Sequence, residues 1–302
     1  MRDTDKDWNA LANSAPYWGI LTDDKFRGDR LDENASKFFF NSGENFIQEI
    51  ATRLGLNEKQ RRGIGIDYGA GVGRLSFPMS RFCNHVYGLD ISEHMLVRGK
   101  EHAVERGLKT VEFLTPDEFF QRNLYADWIN SYIVFQHIPP RRGLILLDRL
   151  LRLLNSSGII SLHFTFTRAA INIPKVINDY RYYSYDGESL RGIEYASIAQ
   201  SGLISMFDYN LSELFTKFYT NDIRIIDTLY TNHKGHIGVV FLGCRDSTCN
   251  LGFSQNVGFS SNQMGGKYLL DGWSRIETWG VWSATKQATV RLPLPMRDSK
   301  TP

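Results

Sequence analysis

Two sets of residues in this chain have types and spacings that suggest chemistry. The first is Gly65-Ile66-Asp67-Tyr68-Gly69-Ala70-Gly71-Val72-Gly73-Arg74, followed by Val86-Tyr87-Gly88-Leu89-Asp90. Glycines at alternate positions let a backbone run close beneath a ligand, at angles a Cβ would forbid. An acid at the tip of the next strand can accept both hydroxyls of a ribose. Together these parts form a cradle for a nucleotide-type cofactor. Spacing then narrows the ligand. A dinucleotide turn wants G-x-G-x-x-G, whose third glycine packs helix on strand under a pyrophosphate. Here Ser76 stands at that third position. The second set is His233 and His236, three apart. They bracket a turn followed by a strand and have no carboxylate motif beside them, so no metal site is expected.

The elements that must position the first set alternate in the α/β manner. Strands are expected over 63–67, 84–89, 110–114, 127–135, 159–166, 223–229 and 236–243. Helices are expected over 44–54, 73–82, 92–106, 141–154 and 211–219. Leu144, Leu147, Leu151 and Leu154 form one helical stripe, and Asn155-Ser156-Ser157-Gly158 should stop that helix. Periodicity alone gives an α/β class; the last two strands suit an antiparallel pair. Residues 167–210 form a long tyrosine-rich excursion where the ligand crevice of such a sheet should open. The tyrosines serve either an acceptor or the packing of the excursion itself.

At the glycine turn the chain resembles the class I S-adenosylmethionine (SAM) methyltransferases, whose first motif reads acid-x-G-x-G-x-G. Asp67, Gly69, Gly71 and Gly73 match it in place. Asp90 matches the ribose-binding acid, and Ile91-Ser92-Glu93-His94-Met95-Leu96 resembles the helix opening that follows it. The resemblance implies a Rossmann-like seven-stranded sheet with helices on both faces. It also implies SAM held by Asp67, Gly69, Ala70, Gly71, Gly73, Arg74, Asp90, Ile91 and Met95. Relatives often place an adenine-binding acid after the third strand, which makes Asp117 the matching position, although Pro116 and a short connection follow a different pattern there. Ser131-Tyr132-Ile133-Val134-Phe135-Gln136-His137-Ile138-Pro139-Pro140 resembles the loop that faces the transferring methyl group in that family. Gln136 and His137 are therefore the catalytic candidates. A histidine titrates near working pH, so His137 can act as general base on a hydroxyl, or it can simply hydrogen-bond its loop.

Three segments follow from this reading: an aromatic cap or lid over 1–45, a SAM-binding domain over 46–246, and a small β-rich tail over 247–302. The tail pattern around Trp273, Trp279 and Trp282 resembles a module of bacterial polysaccharide-building enzymes. Its tryptophans either stack on sugars or form its own core. A net charge of +2 with no basic run beyond Arg-Arg pairs makes no case for nucleic acid as partner. Three cysteines without C-x-x-C and an N-terminus without a signal-like apolar stretch point to the cytoplasm, and no apolar run reaches a membrane span. The expected activity is SAM-dependent methylation, on a hydroxyl of a sugar or glycan precursor, with Tyr183, Tyr185, Tyr209 and His236 as acceptor-binding positions. A lipid, quinone or natural-product acceptor is the alternative, and a non-catalytic binding module with the same fold is the rival of another class.

Overall fold

Successive strand residues face opposite sides of a sheet, and here both sides are apolar. Trp128 and Ile159 sit in one core layer, while their neighbours Ile129 and Ile160 sit in the other. A sheet buried on both faces needs helices on both, the usual setting for parallel strands. The computed structural model, which describes residues 4–168, 180–185, 190–196 and 206–245, has that arrangement.

Strands β1 (Arg62–Tyr68), β2 (Cys83–Leu89), β3 (Val111–Leu114), β4 (Ala126–Ser131) and β5 (Leu154–Arg168) are parallel. Strands β8 (Ile223–His233) and β9 (His236–Arg245) complete the sheet in the order β3-β2-β1-β4-β5-β9-β8, with β9 antiparallel to both neighbours. Lys234 and Gly235, both at positive φ, make the two-residue turn between β8 and β9. Helices α3 (Glu33–Arg53), α4 (Ser76–Met79) and α5 (Glu93–Glu105) cover one face through Ile47, Ile50, Phe77 and Met95. Helices α6 (Pro116–Phe120), α7 (Pro140–Arg152) and α8 (Leu211–Thr220) cover the other through Phe119, Leu147, Leu151, Leu214 and Phe218. The short helices α1 (Thr4–Ser14) and α2 (Pro16–Ile20) precede α3.

Several boundaries differ from the sequence expectation, each for a local reason. The helix expected over 73–82 contracts to the four residues of α4, because Gly73 at φ +93 cannot open a regular helix. The fourth strand stops at Ser131 instead of Phe135, because Ile133 takes a left-handed φ of +61 and Phe135–His137 coil into a 3₁₀ turn. The turn expected at 155–158 is instead part of β5, in a β4–β5 register shift between the pairs Ala126↔Leu154 and Trp128↔Ile159. Helix α3 starts at Glu33, N-capped by Asp32 on the Ala35 amide, so it runs unbroken across the expected cap boundary at residue 45.

Within the tyrosine-rich excursion, strands β6 (Tyr180–Tyr185) and β7 (Leu190–Ala196) form a separate antiparallel pair. The base of the excursion is tied to the core. Arg168 and Asp208 form a buried ion pair at 2.7 Å, and the Tyr209 amide donates to the Thr165 carbonyl. The tryptophan-rich tail expected over 247–302 lies outside the described residues. Among those residues, no helix is long and apolar enough to cross a membrane.

Candidate functional site

In the strand order 3-2-1-4-5 the chain reverses its direction of travel between β1 and β4, and a crevice opens there beyond the C-terminal strand ends. A cavity of about 850 Å³, counting its open mouth, occupies that place. Its wall comes from the turn after β1 (Tyr68, Gly69, Gly71, Arg74), the end of β2 (Leu89 to Ser92, with Met95) and the loop after β4 (Tyr132 to Val134, His137, Ile138). Arg142 of α7, Asp5 and Trp8 of α1, and Gly19 and Ile20 of α2 close the remaining sides.

The glycine turn is held from both ends. Asp67 is buried beneath it, accepting from Ser76 Oγ at 2.6 Å and from Asn130 Nδ2 at 2.9 Å. Burial raises the carboxyl's pKa, and these two donors pull it part of the way back. Ser76, the residue that breaks the dinucleotide spacing, thus has a positive task as the donor that fixes the turn's acid. Gly71 sits at φ +53 on the cavity wall, where an added Cβ would lie 2.6 Å from Ile20 Cδ1. Gly73, at φ +93, faces the core instead, against the rings of Phe77 and Phe113.

Asp90 stands half-buried at the tip of β2. One carboxylate oxygen accepts from the Gly71 amide at 2.8 Å and the other from the Ser92 amide at 2.9 Å. Each oxygen keeps a second lone pair, as a ribose diol requires. Burial pushes this carboxyl up to about 6, against the pull of the backbone donors.

Arg74 is buried at 5% exposure on the same wall. Its Nη1 reaches only Ser42 Oγ at 3.3 Å, and its Nε has no hydrogen-bond partner. No carboxylate forms an ion pair with it among the described residues. Burial lowers its pKa to about 10. Asp67 offsets part of the cost of holding this guanidinium out of water, but no described carboxylate touches it.

His137 also lines the cavity, its imidazole 4.8 Å, edge to face, from the Trp8 ring. Its Nε2 lies 3.0 Å from Gln136 Nε2, so the Gln136 amide donates to the ring. Gln136 itself is buried behind His137 and off the cavity wall. Tyr132 lies under Phe46 at 3.9 Å between ring centroids, and its hydroxyl shares a hydrogen bond with His233 Nε2 at 3.2 Å.

The expected cofactor residues Gly69, Gly71, Arg74, Asp90, Ile91 and Met95 therefore meet at one surface, with His137 on the same wall. Asp67, Ala70 and Gly73 lie behind that surface and shape it. Asp117 stands apart. Thr115 and Glu118 form a capping box that starts α6 at Pro116, which places Asp117 on the exposed first turn. Tyr209 is also off the wall: it is buried, donates to the Ile138 carbonyl at 2.8 Å and packs on Phe135 and Phe164. His236 pairs in register with Arg168 beside the ion pair at the base of the excursion. Tyr183 and Tyr185 fall on β6. Asp5, Trp8, Ile20, Tyr132 and Arg142 were not among the expected site residues. The only sequence signal for the first three was the general reading of the N-terminal segment as a cap.

Residues 66–160 match the family described as a methyltransferase domain. The structure resembles magnesium protoporphyrin IX methyltransferase from Synechocystis PCC 6803, solved with bound S-adenosylhomocysteine (SAH). The TM-score is 0.57 at 18% identity, over 81% of this chain and 100% of that one. It also resembles 1,6-didemethyltoxoflavin-N1-methyltransferase from Burkholderia thailandensis, with a TM-score of 0.51 at 16% identity over 81% of this chain and 91% of the other. At these identities the likeness is one of fold. Two curated relatives, described as uncharacterized RNA methyltransferases of Streptococcus agalactiae, are 23% identical over 131 residues. That match spans 42% of this chain and 28% of theirs.

Proposed function

We propose, from the premise that residues 66–160 are a methyltransferase domain, that the chain is a SAM-dependent methyltransferase acting on a hydroxyl of a sugar or glycan precursor. The observation that carries the cofactor part is the placing of a buried Arg74, its Nε without a hydrogen-bond partner, and a half-buried Asp90 on one cavity wall. They fit the two polar ends of an adenosyl amino acid. Arg74 is suited to the amino-acid carboxylate and Asp90 to the ribose hydroxyls, while Leu89, Ile91 and Met95 give the apolar surface for an adenine. When bound, SAM supplies a sulfonium methyl group to an acceptor nucleophile. Ile20, Ile133 and Val134 give that place apolar walls that limit water. His137 would accept the acceptor's hydroxyl proton at Nε2, which gives up the Gln136 amide as hydrogen-bond partner to do so. Holding acceptor and methyl in near-attack geometry supplies much of the rate, so no covalent catalyst is needed.

The acceptor assignment is supported by the aromatic setting. Trp8, edge to face with His137, and Tyr132 both line the cavity. Flat ring faces next to a proton acceptor suit the apolar face and hydroxyl edge of a sugar ring. Calorimetric titration of the full chain with SAM and SAH tests the cofactor, and labelled SAM offered to nucleotide sugars and glycan extracts tests the acceptor. Binding that is absent, or unaffected by Asp90→Ala, sinks the methyltransferase reading. Label that enters only lipid or quinone fractions replaces the sugar assignment.

A further inference from the structure

Asp5, Arg74, Asp90 and Arg142 are the carboxylates and guanidinium groups on the cavity wall. If the methyl-transfer reading of this cavity holds, on which the present inference rests, Arg74 and Asp90 are committed to the cofactor. Arg142 is left over. It lies in the first turn of α7, on the wall that also carries His137 and Ile138. Asp5 of α1 engages it in a fork: Nη1 donates to Oδ1 at 2.8 Å and Nη2 donates to Oδ2 at 2.6 Å. Two parallel charge-assisted bonds are the way a guanidinium reads a carboxylate or a phosphate.

The same helix sets Trp8 against His137, so the fork and the cover over His137 belong to one element. Ala12, near the C-terminus of α1, is its one fully buried hydrophobic side chain among the described residues. Asp5 and Arg142 keep 36% and 49% side-chain exposure, a setting in which an ion pair contributes little and is easily exchanged. A ligand oxyanion presenting two oxygens from inside the cavity would meet the same fork.

We propose that Asp5 stands in for an anionic group of the acceptor, and that Arg142 recognises a carboxylate or phosphate on the substrate, which displaces Asp5 and frees α1 from His137. Arg142 is then a specificity-determining residue, and acceptors lacking the anion leave the cover closed.

The test uses the full chain saturated with SAH. Hydrogen exchange of the α1 amides is followed as acetate, inorganic phosphate or chloride is added at equal ionic strength. Acetate or phosphate should speed α1 exchange severalfold while chloride does not, and the more effective anion names the group on the acceptor. Arg142→Gln should abolish the response while keeping SAH affinity, and Asp5→Asn should show fast α1 exchange without any anion. Equal exchange in all three salts, or an Arg142→Gln chain that responds like the wild type, overturns the proposal. Failure of SAH to bind would instead remove the methyl-transfer reading beneath it, so the two failures are distinguishable.

Discussion

Replacing Arg74 with methionine should make the empty protein no less stable while blinding it to half of its cofactor. Burial lowers the guanidinium from 12.5 to about 10. At about 1.36 kcal/mol per pKa unit, that shift corresponds to roughly 3 kcal/mol against the charged form. The sign follows from a folded-state pKa depressed in a base. At neutral pH the group is protonated in both folded and unfolded chains, so the full penalty is present; it is relieved only as pH rises through about 10. Methionine keeps most of the apolar stem and removes the charge. Asp67 loses a favourable neighbour, which returns part of the gain. The net expectation is a change between zero and about 3 kcal/mol of added stability, in line with other buried ions replaced by apolar groups.

Ligand binding should move the opposite way. Losing charge-assisted hydrogen bonds of about 1.5–3 kcal/mol weakens SAH by roughly 10- to 100-fold. 5′-Methylthioadenosine, which lacks the carboxylate, should bind Arg74→Met and wild type alike. Urea denaturation of the empty chain and calorimetric titration of both ligands provide the assay. Parallel weakening of the two ligands, or undiminished SAH affinity, would refute the assignment of Arg74.

Three further outcomes are expected. Asp90 is pushed up to about 6, and ribose hydroxyls favour its ionised form; SAH affinity should be flat near neutral pH and fall by up to about tenfold per unit below pH ~6, a dependence that calorimetry should find missing in Asp90→Asn. His137→Gln should lower kcat by about 10²–10⁴-fold with the KM for SAM unchanged; equal turnover in steady-state assays would return His137 to a loop-holding role. Arg168 and Asp208 form a pair whose side chains are each 2% exposed, so Arg168→Met alone should destabilise by about 3–5 kcal/mol in urea melts while the double change with Asp208→Leu recovers much of it.

The glycine turn and Asp90 were legible because local chain geometry dictates them. A strand, a turn at positive φ and an acid on the next strand must lie together whatever surrounds them, and they line the cavity as expected. The alternation of apolar strands and striped helices likewise fixed the α/β class and the antiparallel last pair. Asp117 and Tyr209 were less accessible to that reasoning. A capping box turned one outward, and a carbonyl 71 positions away in sequence captured the hydroxyl of the other. Neither event leaves a trace in local spacing.

What the sequence determined by itself is the cofactor cradle, since backbone conformation and residue type over a single βαβ unit are enough to specify it. Only the tertiary structure decided what faces the cradle. Asp5 and Arg142, 137 residues apart, meet across the cavity mouth, and Trp8 covers His137. Such contacts depend on how a terminal helix packs over the strand ends, where burial and charge are set by distant segments and not by neighbours in the chain.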